Sequence, residues 1–139
     1  MIVACGQQPK TEPVAQSRVQ NQDLREYREL RKIQGHFAGG DWNDAVDKFD
    51  GRKHRLMKSL GIAAEQESWS AAELRARLGS PDLEPGTDGT LQQLLDSALS
   101  GDDTGAAIAA YFWRGNHDVL IFYQNSNGAL AHAWWYAGE

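Results

Sequence analysis

The chain has 139 residues, 41% of them hydrophobic and 24% charged, with a net charge of −5; these are values of an ordinary globular domain and argue against general disorder. Such a length holds one domain with a self-sufficient core, and no run of about 18 apolar residues is present to span a bilayer. Charge is divided, with a net +3 over residues 1–60 and a net −8 over residues 61–139. Because the aromatic residues concentrate in the acidic half, a basic patch for phosphates is not expected, and nucleic acid is set aside as a partner.

The only cysteine is Cys5, so no intramolecular disulfide can form. Ile2-Val3-Ala4-Cys5 resembles a bacterial lipobox, in which a cysteine after small or aliphatic residues is lipidated and becomes the mature N-terminus. The polar run 7–22, with Pro9 and Pro13, suits a tether to a folded domain. Only four residues precede Cys5, too few for a basic n-region and an apolar h-region. Two alternatives follow. If the true start lies upstream, the protein sits on the periplasmic side of a bacterial membrane, held only through a lipid on Cys5; otherwise the match is accidental and the protein is cytoplasmic. Residues 1–20 are read as the tether and 21–139 as a single globular domain.

Residues 21–34 show three-and-four apolar spacing at Leu24, Tyr27, Leu30 and Ile33, which predicts an amphipathic helix ended by Gly35. His36 to Gly40 reads as a loop. Asp41 is expected to cap a turn carrying Trp42, Ala45, Val46 and Phe49 inward. Residues 52–60 read as a short basic helix stopped by Gly61, with Leu56, Met57 and Leu60 buried. Ser70 and Glu73 form a capping box, with Trp69 and Leu74 as a hydrophobic staple and Gly79 as the stop. Residues 90–99 give a further helix striped by Leu91, Leu94, Leu95, Ala98 and Leu99, and 100–105 is an acidic hinge.

The last third holds three apolar, aromatic runs separated by Arg114-Gly115-Asn116-His117-Asp118 and Gln124-Asn125-Ser126-Asn127-Gly128. This is the pattern of an antiparallel meander with strands near 107–113, 118–124 and 129–136. The expected fold is α+β and two-layer, helices packed on this sheet. Alternation places Leu130, His132, Trp134 and Tyr136 on one face and Ala129, Ala131, Ala133 and Trp135 on the other. Helices approach closely over small side chains, so the alanine face is expected toward the helices and His132, Trp134 and Tyr136 on an open face, although the opposite choice is nearly as good.

The helix ending Leu78-Gly79-Ser80-Pro81-Asp82, followed by Tyr111-Phe112-Trp113, Leu120-Ile121-Phe122-Tyr123, Gly128 and Ala133-Trp134-Trp135-Tyr136, resembles the small bacterial outer-membrane-assembly lipoproteins of the SmpA/OmlA-like type and the related beta-lactamase-inhibitor-protein fold. The similarity covers residues 69–136. It implies a non-enzymatic, envelope-tethered module whose partner is another protein.

No pair of the four histidines has the i, i+4 spacing of a zinc site, and neither a metal nor a cofactor is expected. His117, Asp118 and His132 are the only candidates for acid–base work, with Leu120 and His132 expected near cross-strand register. Tyr111, Trp113, Arg114, His117, Asp118, His132, Trp134 and Tyr136 are the candidate binding residues, of types enriched at protein-binding hot spots. Arg114 and Asp118 are expected to close the first hairpin as an exposed ion pair worth about 0.2–1 kcal/mol. The function read from the sequence is a non-catalytic protein-binding or assembly module. The alternative is a small intracellular protein with inhibitor-like or weak hydrolytic function centred on the sheet histidines.

Overall fold

A computed structural model describes residues 21–86, 89–99 and 104–137, so the tether with Cys5 and residues 100–103 of the hinge lie outside the described residues. Among these, α1 (Asn21–Arg31), a 3-10 turn (His36–Ala38), α2 (Asp44–Asp47), α3 (Arg52–Glu67), α4 (Ala71–Leu78) and α5 (Thr90–Ala98) precede β1 (Gly105–Arg114), β2 (Asp118–Asn125) and β3 (Leu130–Tyr136). The strands form an antiparallel sheet in the order β1-β2-β3, giving the expected α+β fold. The capping box is formed: Glu73 N–H donates to Ser70 Oγ at 3.0 Å and Ser70 N–H to Glu73 Oε1 at 2.8 Å. Trp69 and Leu74 are both buried in the core below it.

Two β-bulges in β1 decide which side chains face where. Ala107 pairs with Tyr123 and Ala109 with Phe122, leaving Ile108 extra, while Phe112 pairs with Val119 and Arg114 with Asp118, leaving Trp113 extra. A bulge interrupts strict alternation, so two successive residues project from one face. Ile108, Ala109, Tyr111 and Trp113 accordingly join Leu120 and Phe122 in a core with α1–α4. Ala107, Ala110 and Phe112 join Val119, Ile121 and Tyr123 in a second cluster with Leu91 and Leu95 of α5. The sheet thus has helix on both faces.

The choice of open face is corrected. Leu130 and Trp134 pack against the main core beside α3, and Ala131 and Ala133 against the α5 cluster. Small strand residues do admit a close helix, but that helix is α5. On the other face the small residues belong to the helix: Gly61, Ala63 and Ala64 are buried on α3, opposite the large side chains of β3. Gly61 therefore does not end its helix, which runs on to Glu67. A Cβ at Gly61 would lie 2.7 Å from His132 Cδ2. That imidazole is held in place, since His132 Nδ1 and backbone N lie each 2.7 Å from Glu65 Oε2.

The segment after α1 also differs from expectation. Asn43 rather than Asp41 caps α2, accepting from Ala45 N at 2.9 Å and Val46 N at 3.3 Å. The helix lasts one turn, so only Val46 of the expected apolar set is fully buried while Trp42 and Phe49 are exposed. The α3 helix is not a solvated basic face throughout, because Lys53 and His54 are buried.

The β1 edge is met by groups from outside the sheet, which covers the ladder that invites strand addition, and one N–H of the β3 edge is met in the same way. Leu83 and Ala110 exchange backbone hydrogen bonds at 3.2 and 3.0 Å. The Gln92 amide acts as a short strand segment, donating to Gly105 O at 2.9 Å and accepting from Ala107 N at 3.0 Å. Glu65 accepts the edge N–H of His132.

Gly61→Ala sets about 1 kcal/mol of helix propensity against a fixed imidazole. Urea denaturation is expected to show a net loss of stability in the wild-type background and a gain in a His132→Ala background. The same sign in both backgrounds would show that His132 is not what holds this position to glycine.

Candidate functional site

The bulge at Trp113 makes the end of the first hairpin. With Trp113 and Arg114 on one face, the guanidinium carbon sits 4.1 Å from the Trp113 ring centroid and 4.3 Å from that of Phe37. Arg114 Nε donates to Asp118 Oδ2 at 2.5 Å and Nη1 to Asp47 O at 2.7 Å, and Trp113 Nε1 donates to Val46 O at 2.7 Å. The strand end is thereby bound to α2 through two adjacent carbonyls. Gly115 makes the approach possible, since at φ 55° a Cβ there would lie 2.3 Å from Phe37 O.

The expected Arg114–Asp118 pair exists, but it is buried and not exposed. Asp118 Oδ1 also accepts from Ala137 N at 3.1 Å, and His117 Nδ1 lies 3.3 Å from Oδ2. A buried pair with its oxygens satisfied differs in kind from a surface one: deleting one partner strands a charge and costs about 3–5 kcal/mol. Asp47 is buried alongside, its Oδ2 accepting from His36 N and Asn43 N at 2.8 Å each.

Behind Trp113 lies His54, stacked on the indole at 3.8 Å between centroids and 9° between planes. Asp50 N–H donates to His54 Nδ1 at 2.9 Å. A backbone amide can only donate, so Nδ1 is the acceptor and Nε2 carries the proton, which it gives to Tyr136 Oη at 3.1 Å. Burial first, and the nearby Lys58 ammonium second, push the imidazole down to about 4, leaving it neutral at physiological pH. Phe49 meets the His54 ring edge-on at 4.8 Å, and Trp134 stacks on Tyr136 at 5.4 Å.

This frame carries exposed aromatics on both flanks. Phe49 is 60% exposed and Tyr136 43%, with their rings 6.2 Å apart, on the His54 side. On the Phe37 side Trp42 is 54% exposed, its Nε1 held by Asp44 Oδ1 at 2.6 Å, while Phe37 contacts His117 at 4.8 Å.

Of the sequence-predicted residues, Trp113, Arg114, His117, Asp118, Trp134 and Tyr136 meet at this end of the sheet. Trp113 is fully buried and serves as the wall behind the surface rather than the surface itself. Tyr111 belongs to the core instead, its hydroxyl donating to Gly79 O at 2.9 Å. His132 pairs with Phe122 across the sheet, and Trp134 takes the place opposite Leu120. Asp118 pairs with Tyr136, so His132 lies four residues, about 13 Å, along the strand from the His117–Asp118 turn. The acid–base trio is not assembled. Sequence reasoning did not place Phe37, Trp42, Phe49 and His54 at the site: Phe37 is an isolated aromatic in a glycine-flanked loop, Trp42 and Phe49 have a helical spacing that points them inward, and His54 sits in a helix read as a basic surface.

Among the described residues no group of three His, Cys, Asp or Glu side chains is placed to hold a metal ion, and no helix is long and apolar enough to cross a membrane. Comparison of the chain with protein families, with curated proteins and with solved structures finds no significant match.

His54 gives the site a pH signature. Its folded-state value lies below the roughly 6.5 of an unfolded chain, so the unfolded state protonates first as pH falls. The associated stability is complete above about pH 6.5 and is lost as pH falls toward 4, by about 3 kcal/mol at most. Urea denaturation at pH 7 and 4.5 is expected to show a loss for the wild type larger than that for His54→Gln by roughly 2 kcal/mol. Equal losses would mean that His54 is not buried in neutral form.

Proposed function

We propose that the protein is a non-catalytic protein-binding or assembly module whose contact surface is the hairpin end, with Trp42, Phe49 and Tyr136 as its anchors. The observation that carries this reading is the exposure of three large aromatic side chains on a frame of buried, hydrogen-bonded groups. Aromatic anchors held in place before binding lose little conformational entropy on contact, and such residues dominate protein–protein hot spots. His117 and the apolar edge of Phe37 extend the same surface around Arg114.

The chemistry of the frame supports binding over catalysis. His54 spends its Nδ1 lone pair on a backbone amide and has no base left to offer, and Asp118 is committed to Arg114, His117 and Ala137. A lipid on Cys5, holding the module to the periplasmic face of a bacterial envelope, is part of the same proposal. Its support is the Ile2-Val3-Ala4-Cys5 pattern with the proline-containing run after it.

The test compares affinity capture from a bacterial envelope extract by the wild type, by a Trp42→Ser/Phe49→Ser variant and by Ile62→Ser, which changes another exposed apolar residue. The double variant is expected to stay within about 1 kcal/mol of wild-type stability, since both side chains are solvated. It should lose at least tenfold of any protein that the wild type and Ile62→Ser both retain. Equal capture by all three would refute the placement of the surface.

A further inference from the structure

Lys53, in the first turn of α3, is 5% exposed, and among the described residues its ammonium has no hydrogen bond or ion pair. Among the other buried charges of the described residues, Arg114 pairs with Asp118, while Asp47 accepts two backbone amides on Oδ2 and leaves Oδ1 without a partner. Burial pushes the Lys53 ammonium down to about 8, opposed by the charges of Asp82 and Asp47 and reinforced by Arg31. The Lys53 nitrogen is not among the enclosed atoms that lack a partner, so it keeps an accessible side at which an acceptor could pair it.

Lys53 lines a cavity of about 180 Å³ together with Arg31, Lys32, Gln34, Asp82 and Trp113. The other polar groups are already engaged. Arg31 donates to Leu78 O at 3.0 Å and Ser80 O at 2.9 Å and pairs with Asp82 Oδ1 at 3.1 Å. Asp82 Oδ2 accepts from Phe112 N at 2.8 Å, so its carboxylate is turned toward those partners. Lys32 pairs with Glu29, and Gln34 Nε2 donates to Ala38 O. Three cations and one carboxylate leave the lining positive, with the Lys53 ammonium as its unused donor. The volume is below the roughly 300–1,000 Å³ of pockets for drug-sized ligands, which restricts the occupant to a few heavy atoms.

We propose that this cavity binds a small oxyanion, a carboxylate or a phosphate group, with the Lys53 ammonium as its principal donor. The site is separate from the aromatic surface in its residues and does not rest on that reading. An anion here would give the Lys53 ammonium an acceptor, and would stabilise the folded chain by mass action.

The test is an NMR titration of the full chain at pH 6.5, where Lys53 is charged, with sodium phosphate and separately with sodium acetate. Sodium chloride holds the ionic strength constant, and the Lys53 side-chain ¹³Cε–¹H signal is followed. A saturable shift is expected with phosphate, weaker with acetate because of its single charge, and at least a tenfold loss of affinity is expected in Lys53→Met, which keeps the length of the stem. Saturation with acetate alone would assign the site to carboxylates. Shifts with both anions no larger than the chloride control, or unchanged affinity in Lys53→Met, would overturn the proposal. The wild-type titration decides the matter alone if the variant fails to fold.

Discussion

The placement of the Arg114 guanidinium is the constraint on which the hairpin end depends. A buried cation must be surrounded by groups that replace water, and here the Asp118 carboxylate, the Asp47 carbonyl and the rings of Phe37 and Trp113 do so. Those groups come from three separate stretches of chain. Holding them around one planar ion fixes the 3-10 turn, the single turn of α2 and the first hairpin relative to one another. Lysine could supply the charge but not the flat surface or the several N–H directions.

The proposed contact surface lies at the end of the sheet, whose two faces carry helices. One face is covered by α1–α4 and the other by α5. The β1 edge is met by Leu83 and the Gln92 amide, and one N–H of the β3 edge by Glu65. What remains for large apolar side chains that the core cannot take is the rim where loop 36–50 meets the first hairpin. Trp42, Phe49 and Tyr136 are found there, each with its ring or polar atom held by a neighbour.

Much of this architecture is legible in the sequence wherever one residue type answers one local requirement. The Ser70–Glu73 box, the stop at Gly79 and the turn at Asn125 to Gly128 are decided by backbone groups within a few residues, and each forms as read. Gly61 misleads because a glycine that admits a neighbour looks the same in sequence as one that ends a helix. Period-two reasoning fails on β1 because the bulges at Ile108 and Trp113 shift the phase twice, and nothing in GAAIAAYFWR marks them. Arg114 and Asp118 are readable as a pair from their spacing across the turn. Their burial is not, since it depends on Phe37 and Asp47, more than sixty residues away.

The binding surface proposed for this protein stands or falls with the Arg114 frame, because only a fixed frame holds the exposed aromatics in position before contact. The most direct measurement is amide hydrogen exchange in wild type and Arg114→Lys. His36 N–H and Asn43 N–H, which donate to Asp47, are expected to exchange at least tenfold faster in the variant, while Glu73 N–H in the α4 capping box keeps its wild-type rate. Unchanged protection at His36 and Asn43 in a folded variant would contradict the account, since loop 36–47 would then be held by something other than Arg114.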